Sequence, residues 1–197
     1  GELAGALHLV TPGVARLDQE VGHLRQLAHL AHGELPAVAG VEVNLHCTYE
    51  EYRTLGSKAY LEQCAQRIRA AADGRLPVWA KLSPCAGDIV DAARTARDAG
   101  AQAVVCANTY WGMALQADGS SRLGSMVGGL SGPAIRPLSV FQTWRVAQEV
   151  AVDVVGCGGI VCAADVKEYM AAGAKAVEIG TANFTEPETI IRITEAL

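Results

Sequence analysis

Five short segments place reactive or ligand-holding residue types directly after apolar runs. Asn44 and Cys47 close VEVNL, and Lys81 ends PVWAKL at its penultimate position. Asn108 and Thr109 follow AVVCA, Gly158 and Gly159 follow DVVG, and Gly180 and Thr181 follow AVEI. In parallel α/β proteins the C-terminal ends of strands are where ligands bind. Each glycine pair offers backbone N–H groups without side-chain cover next to a helix start, an arrangement that attracts phosphate. Tight strand-to-helix turning is the other reading of either pair taken alone. The dinucleotide fingerprint GxGxxG fails because Val161 stands at its third glycine, so a mononucleotide phosphate fits better than NAD. A lysine at the end of a buried strand is costly unless it meets an anion. For Lys81 that anion is either a ligand or an acidic side chain on a neighbouring strand end. Cys47 is open to three readings: nucleophile, base or inert packing.

These residues need a scaffold, and the composition supplies one. Of 197 residues, 50% are hydrophobic and 19% charged, which supports one well-buried domain over residues 1–197 and excludes disorder. A net charge of -5 without a basic, aromatic-rich run disfavours nucleic acid. No apolar stretch reaches the roughly 18 residues of a membrane span, and GELAGALHLVTPG lacks the features of a signal peptide. The expectation is a cytoplasmic protein that does not engage a membrane. The six cysteines contain no CxxC pair, which points to reduced thiols rather than disulfides or zinc. All five histidines precede Cys47. His29 and His32 share a helical face without a Cys or carboxylate partner, so no metal site is expected.

From residue 41 onward, β-branched apolar runs alternate with Ala-rich amphipathic stretches. Strands are expected at 41–45, 77–82, 103–107, 153–156 and 176–179, and helices at about 58–73, 88–99, 138–150, 163–172 and 186–197. Gly74, Gly100 and Gly173 sit where a C′ glycine ends a helix. Residues 108–137 read as a long Gly/Ser-rich loop of the active site. Upstream, LHLV (7–10) suggests a short strand and residues from about Val14 to His32 a helix. About five β/α units are visible where a closed (β/α)8 barrel needs eight. An open sheet would leave VEVNL and AVEI as unpaired edges. Trp79 and Trp144 read as packing residues, and Trp111 as a residue of the site mouth.

VEVNLHC, LPVWAKLSP, ANTYWGM, GGLSGPAIRP, VVGCGGI and AAGAKAVEIGTANF, in that order, resemble the FMN-dependent dihydroorotate dehydrogenase family over about four-fifths of the chain. NTxxGM with GGLSGPAIRP is most similar to the bacterial NAD-linked class, and ADG (117–119) is similar to the FMN barrel domain of dihydropyrimidine dehydrogenase. The resemblance implies an α/β fold, a (β/α)8 TIM barrel whose first strands are missing from these residues. It implies FMN as cofactor and oxidation of dihydroorotate to orotate in pyrimidine biosynthesis. Cys47 matches the general base and Lys81 the lysine beside the flavin. Ala107, Gly128, Gly129, Gly158, Gly159, Gly180 and Thr181 match positions around FMN, and Asn44, Asn108 and Thr109 match positions around substrate. A base taking a proton while the cofactor takes a hydride is a sensible division, and it calls for a thiol whose pKa is lowered. The NAD-linked members work with a second subunit carrying FAD and an iron–sulfur cluster, so a homo- or hetero-oligomer is expected. This chain has no cluster-type cysteine spacing of its own.

Two departures stand out. The family's NxSCPN reads NLHCTY here, with Tyr49 in place of a substrate asparagine, and Gly5 stands where another is expected. Half of the carboxamide clamp is thus missing, which bears on the substrate. Two further readings remain: a catalytically silent flavin- or phosphate-binding barrel or partner subunit, and a flavin-free phosphate-binding aldolase or isomerase with Lys81 as nucleophile.

Overall fold

VEVNL alternates Val and Leu with Glu and Asn, and the alternation decides which way each side chain faces. Val41, Val43 and Leu45 are buried on one face, joined by Val78, Ala80 and Leu82 of the next strand and by the helices. Glu42, Asn44, Trp79 and Lys81 fall on the opposite face by the same period of two. The helix-covered face carries most of the apolar core, and the other face carries the polar residues.

A computed structural model describes residues 7–11, 14–17, 39–72 and 76–197. The strands are β1 (Leu7–Thr11), β2 (Val14–Leu17), β3 (Gly40–Asn44), β4 (Val78–Lys81), β5 (Ala103–Cys106), β6 (Tyr110–Gly112), β7 (Gly128–Leu130), β8 (Asp153–Cys157) and β9 (Ala176–Glu178). The helices are α1 (Tyr49–Ala72), α2 (Ile89–Asp98), α3 (Arg136–Glu149), α4 (Ala163–Ala171), α5 (Ala182–Thr185) and α6 (Thr189–Glu195). The main sheet runs β1-β2-β3-β4-β5-β8-β9, and β6 pairs with β7 as a separate hairpin. All pairings from β2 to β9 in the main sheet are parallel, and β1 joins β2 antiparallel. This is the α/β architecture of an incomplete (β/α)8 barrel, as the sequence leads one to expect.

The structure corrects several boundaries. Val14–Leu17 is a strand and not the start of a helix, and it pairs in parallel with β3, placing Arg16 opposite Glu42. Pairing satisfies a row of backbone groups that β3 would otherwise expose, which outweighs the weak helical preference of four residues. VEVNL is therefore interior to the sheet, while β9 remains an edge among the described residues. The rest of the expected helix, with Gly5, His29, His32 and Gly74, lies outside the described residues.

Helix α1 starts at Tyr49 and not near residue 58. Thr48 and Glu51 form a capping box, with Thr48 N donating to Glu51 Oε2 at 2.7 Å and Glu51 N to Thr48 Oγ1 at 3.2 Å. Gly56, at φ 70°, breaks the helix near the expected start. The C-terminal helix, expected from 186, starts at Thr189 as α6; a short α5 precedes it, and Pro187 between them has no N–H to continue a ladder. The long loop holds the β6–β7 hairpin, and α3 already begins at Arg136. Gly100 and Gly173 do end α2 and α4, at φ 110° and 104°. Trp144 is 49% exposed and stacks on Phe141, contrary to a packing role in the core. No described helix is long and apolar enough to cross a membrane.

Candidate active site

A cavity of about 570 Å³ opens at the C-terminal ends of β4, β5, β8 and β9. That is the size of a pocket for a ligand of nucleotide scale. Its wall brings together Lys81, Ala107, Asn108, Thr109, Gly158, Gly159, Gly180 and Thr181, eight of the residues singled out from the sequence. In-register pairing is the reason: Asn44 lies opposite Lys81, Cys106 opposite Gly156 and Cys157 opposite Glu178. Strand ends that align across the sheet must deliver their succeeding residues to one rim.

Lys81 is 7% exposed and meets acidic side chains on β3, its neighbour, and on β9, across the cavity end of the sheet. Its ammonium is in direct contact with Glu178 Oε2, lies 3.3 Å from Cys157 Sγ and lies 4.0 Å from Glu42 Oε1. Burial pushes the lysine towards losing its proton. The Cys157 sulfur and the Glu178 and Glu42 carboxylates outweigh this and hold the ammonium far above its usual range. Of the two partners open to Lys81, the structure thus supplies the acidic side chain, while its contact with the cavity leaves it within reach of a ligand as well.

Asn108 Nδ2 donates to Asn44 Oδ1 at 2.7 Å, and Asn108 Oδ1 accepts from Thr109 N at 2.8 Å. These bonds orient both carboxamides. Asn108 and Thr109 face the cavity, and Asn44 stands behind them, linked to the wall by that bond.

Cys47 is not part of the cavity wall and is only 3% exposed. Desolvation and the nearby Glu51 charge raise its thiol to about 11, against a smaller opposing pull from Arg67. The lowered pKa expected of a working base is absent in this arrangement. Trp111 covers the segment: its Nε1 donates to Cys47 O at 3.2 Å and its backbone N to Cys85 Sγ at 3.3 Å. The Trp111 ring meets Tyr49 edge-on at 5.4 Å and Tyr52 at 5.6 Å. The substituted Tyr49 is thereby one side of an aromatic cover over the cysteine.

The glycine loops differ from one another. Gly158 and Gly159 have φ of 135° and 69°, and a Cβ on Gly159 would sit 2.7 Å from Gly132 O and 3.0 Å from Arg136 N. That turn is held from behind: Asp165 Oδ2 accepts from Val161 N at 2.9 Å and from Cys162 N at 3.2 Å, and Asp165 Oδ1 meets Arg136 Nη1 at 2.6 Å. Gly180 is different, because a Cβ there would find no atom within 4 Å. Its bare backbone borders open space in the cavity wall, as a phosphate-bearing ligand requires. Gly128 and Gly129 are in β7, outside the wall; a Cβ on Gly129 would meet Thr109 Oγ1 at 2.6 Å. Their neighbours Ser131, Gly132 and Pro133 line the cavity instead.

Sequence reasoning missed Glu42, Glu178, Cys157, Asp165 and Phe184. The signal for the two glutamates was present, since each is a lone charge inside an apolar strand. Phe184 lies on the cavity rim at 90% exposure. Among the described residues, no group of three or more His, Cys, Asp or Glu side chains could hold a metal ion.

The model of a family described as dihydroorotate dehydrogenase matches residues 18–197. The chain is 40% identical over 194 residues to the catalytic subunit of dihydroorotate dehydrogenase B (NAD(+)) from Solidesulfovibrio magneticus, covering 95% of this chain and 62% of that protein. It is 41% identical over 170 residues to the Geotalea uraniireducens subunit of the same name, covering 83% and 54%. The Geobacter metallireducens subunit is 39% identical over 164 residues, covering 81% and 53%. The chain spans between half and two thirds of the length of these curated relatives.

Proposed function

Because the chain belongs to the dihydroorotate dehydrogenase family, we propose that it is the FMN-binding barrel of an enzyme that oxidises dihydroorotate to orotate. The observation that carries this is the cavity wall, where Lys81, Asn108 and two glycine turns converge on a space of about 570 Å³. The residues fit a phosphate-bearing flavin: Gly180 presents bare backbone to open space, and a buried ammonium lines the same wall.

In this reading Gly158, Gly159, Gly180 and Thr181 hold the phosphate through backbone N–H groups. Ala107 and Lys81 border the ring, with Gly128 and Gly129 setting the loop that closes beside it. Asn44, Asn108 and Thr109 orient a dihydropyrimidine, and Cys47 takes its C5 proton. FMN, when bound, supplies the acceptor for the two electrons removed from substrate. The relatives are named as catalytic subunits of an NAD(+)-linked enzyme. A partner subunit with FAD and an iron–sulfur cluster accordingly receives the electrons, and the complex works in the cytoplasm.

A second reading is favoured by one observation. Cys47 is buried, covered by Trp111, and its thiol sits at about 11. A barrel that binds flavin with a silent or altered substrate site accounts for this directly. The visible spectrum of the purified protein, followed by anaerobic dihydroorotate, separates the two. A flavin band that bleaches supports the dehydrogenase, and one that persists supports the silent barrel. A protein that binds no flavin overturns both.

A further inference from the structure

Lys81 reaches the cavity from the middle of the sheet, and the strands on either side determine what its ammonium meets. The described charged and titratable groups facing it are Glu42 on β3, Cys157 on β8 and Glu178 on β9. Glu178 alone makes direct oxygen contact with the ammonium, and it is 5% exposed. It arrives by register: β8 and β9 pair Cys157 with Glu178, so the sulfur and the carboxylate reach the same ammonium from adjacent strands. Val177, on the other face of β9, packs with Ile160, Val166 and Tyr169. The strand is anchored there, and the carboxylate is held on the cavity side.

We propose that Glu178 is a positioning residue for Lys81, fixing the place of the ammonium in the cavity wall and limiting the positive charge it can offer a ligand. The proposal rests on the reading of the cavity as a flavin site. The physical ground is competition in a poorly solvated place. An ammonium already neutralised at contact distance attracts a second anion less than an uncompensated one does. Glu178 therefore weakens the preference of the wall for a ligand in its more negative state. The preference is set by a residue more than ninety positions away in the chain from the lysine that expresses it.

The test uses the full-length protein, Glu178→Gln and Glu178→Asp, with two readouts. The first is the titration of the Lys81 ammonium in flavin-free protein, followed by NMR of labelled lysine. In the parent protein and Glu178→Asp it should stay protonated to about pH 12, whereas in Glu178→Gln its midpoint should fall into the accessible range. The second is the ratio of dissociation constants for oxidised and reduced FMN. Removing the carboxylate charge should favour reduced FMN about tenfold, an upward shift of about 30 mV for a two-electron couple. Glu178→Asp, which keeps the charge, should retain the parent ratio to within about twofold. An unchanged Lys81 titration in Glu178→Gln overturns the proposal. So does an unchanged ratio in a variant that binds FMN as the parent does. A parent protein that binds no FMN defeats the flavin reading and the limit on ligand charge with it, while the titration still decides whether Glu178 governs Lys81.

Discussion

Asn108 Nδ2 lies 2.7 Å from Asn44 Oδ1, so two carboxamides more than sixty residues apart in sequence form one unit across the end of β4, from β3 on one side and the end of β5 on the other. The bond consumes the Asn44 oxygen and leaves its amide nitrogen as the group to offer a ligand. Asn108→Ala removes the partner, and the orphaned Asn44 oxygen costs about 1–3 kcal/mol. Asn108→Asp keeps the size but turns a donor into an acceptor facing another acceptor. On the proposed dehydrogenase reading, both variants should lose dihydroorotate binding, with the larger loss in Asn108→Asp. Substrate titration of the oxidised protein checks this.

Gly180 and Gly159 separate folding from binding. Gly180→Ala meets no neighbouring atom, so its melting temperature should stay within about 2 °C of the parent. Its methyl group nevertheless occupies the proposed phosphate position, and FMN affinity should fall about tenfold or more, by about 1.4 kcal/mol. Gly159→Ala combines φ of 69° with contacts on Gly132 and Arg136 backbone, and should lose about 2 kcal/mol of stability before binding is considered. Thermal melts and flavin titration of both variants check the contrast.

Asp165→Asn should weaken the 158–162 turn without emptying the core. The amide retains an oxygen for Val161 N or Cys162 N but loses the charge that meets Arg136. A loss of about 1–3 kcal/mol is expected, as for a partly buried charged pair with one partner neutralised. Urea unfolding measures it. Arg136→Lys should fall between the parent and Asp165→Asn.

The Cys47 thiol at about 11 fixes the sign of a pH profile. If the thiolate is the base, its fraction rises about tenfold per pH unit below that value, and the rate of flavin reduction should climb in parallel through the neutral range. Glu51→Gln removes the charge that helps raise the thiol while keeping the capping-box geometry, so it should shift the profile to lower pH. Stopped-flow reduction at several pH values checks both, and a flat profile rules out Cys47 as the base.

Alkaline conditions should destabilise the fold through its buried thiols. Cys47 and Cys64 are both raised from 9.0 to about 11, and Cys106 and Cys157 are also raised, chiefly by burial. Groups raised on folding contribute fully below their unfolded value and lose that contribution as pH climbs through the folded one. Melting temperature should therefore decline from about pH 9 to pH 11. Cys64→Ala should flatten the decline even though it opens a cavity in the core.

Much of this site is legible in the sequence because parallel strands deliver their C-terminal residues to one rim. Lys81, Asn108, Gly158 and Gly180 could be placed together without knowing a single distance. Glu178 could not, because its role depends on register: it reaches Lys81 only when β8 and β9 pair Cys157 with Glu178. The early strand Val14–Leu17 was hidden for a related reason. Its residues carry no strong local preference, and the deciding factor is a vacant edge on β3. Helix α1 was readable in principle, since Thr48 and Glu51 have capping-box spacing, but the helix is broken at Gly56, so its first turns stand apart from the stretch expected from about residue 58. The burial of Cys47 was not legible either: it joins the core cluster of Leu45, Tyr60 and Cys64, and its carbonyl accepts from Trp111, over sixty residues away in sequence.

Trp111 gives the molecule an optical signature of its own. The other two tryptophans are elsewhere, Trp79 within the sheet and Trp144 half-exposed on α3. Trp111 is half-buried, its indole N–H is engaged, and two tyrosine rings and a thiol lie against it. A rearrangement that breaks the indole bond to the Cys47 carbonyl also moves the ring relative to Tyr49 and Tyr52. Emission from this one indole will therefore change colour and intensity as that contact opens, giving a native fluorescent gauge of the segment around Cys47.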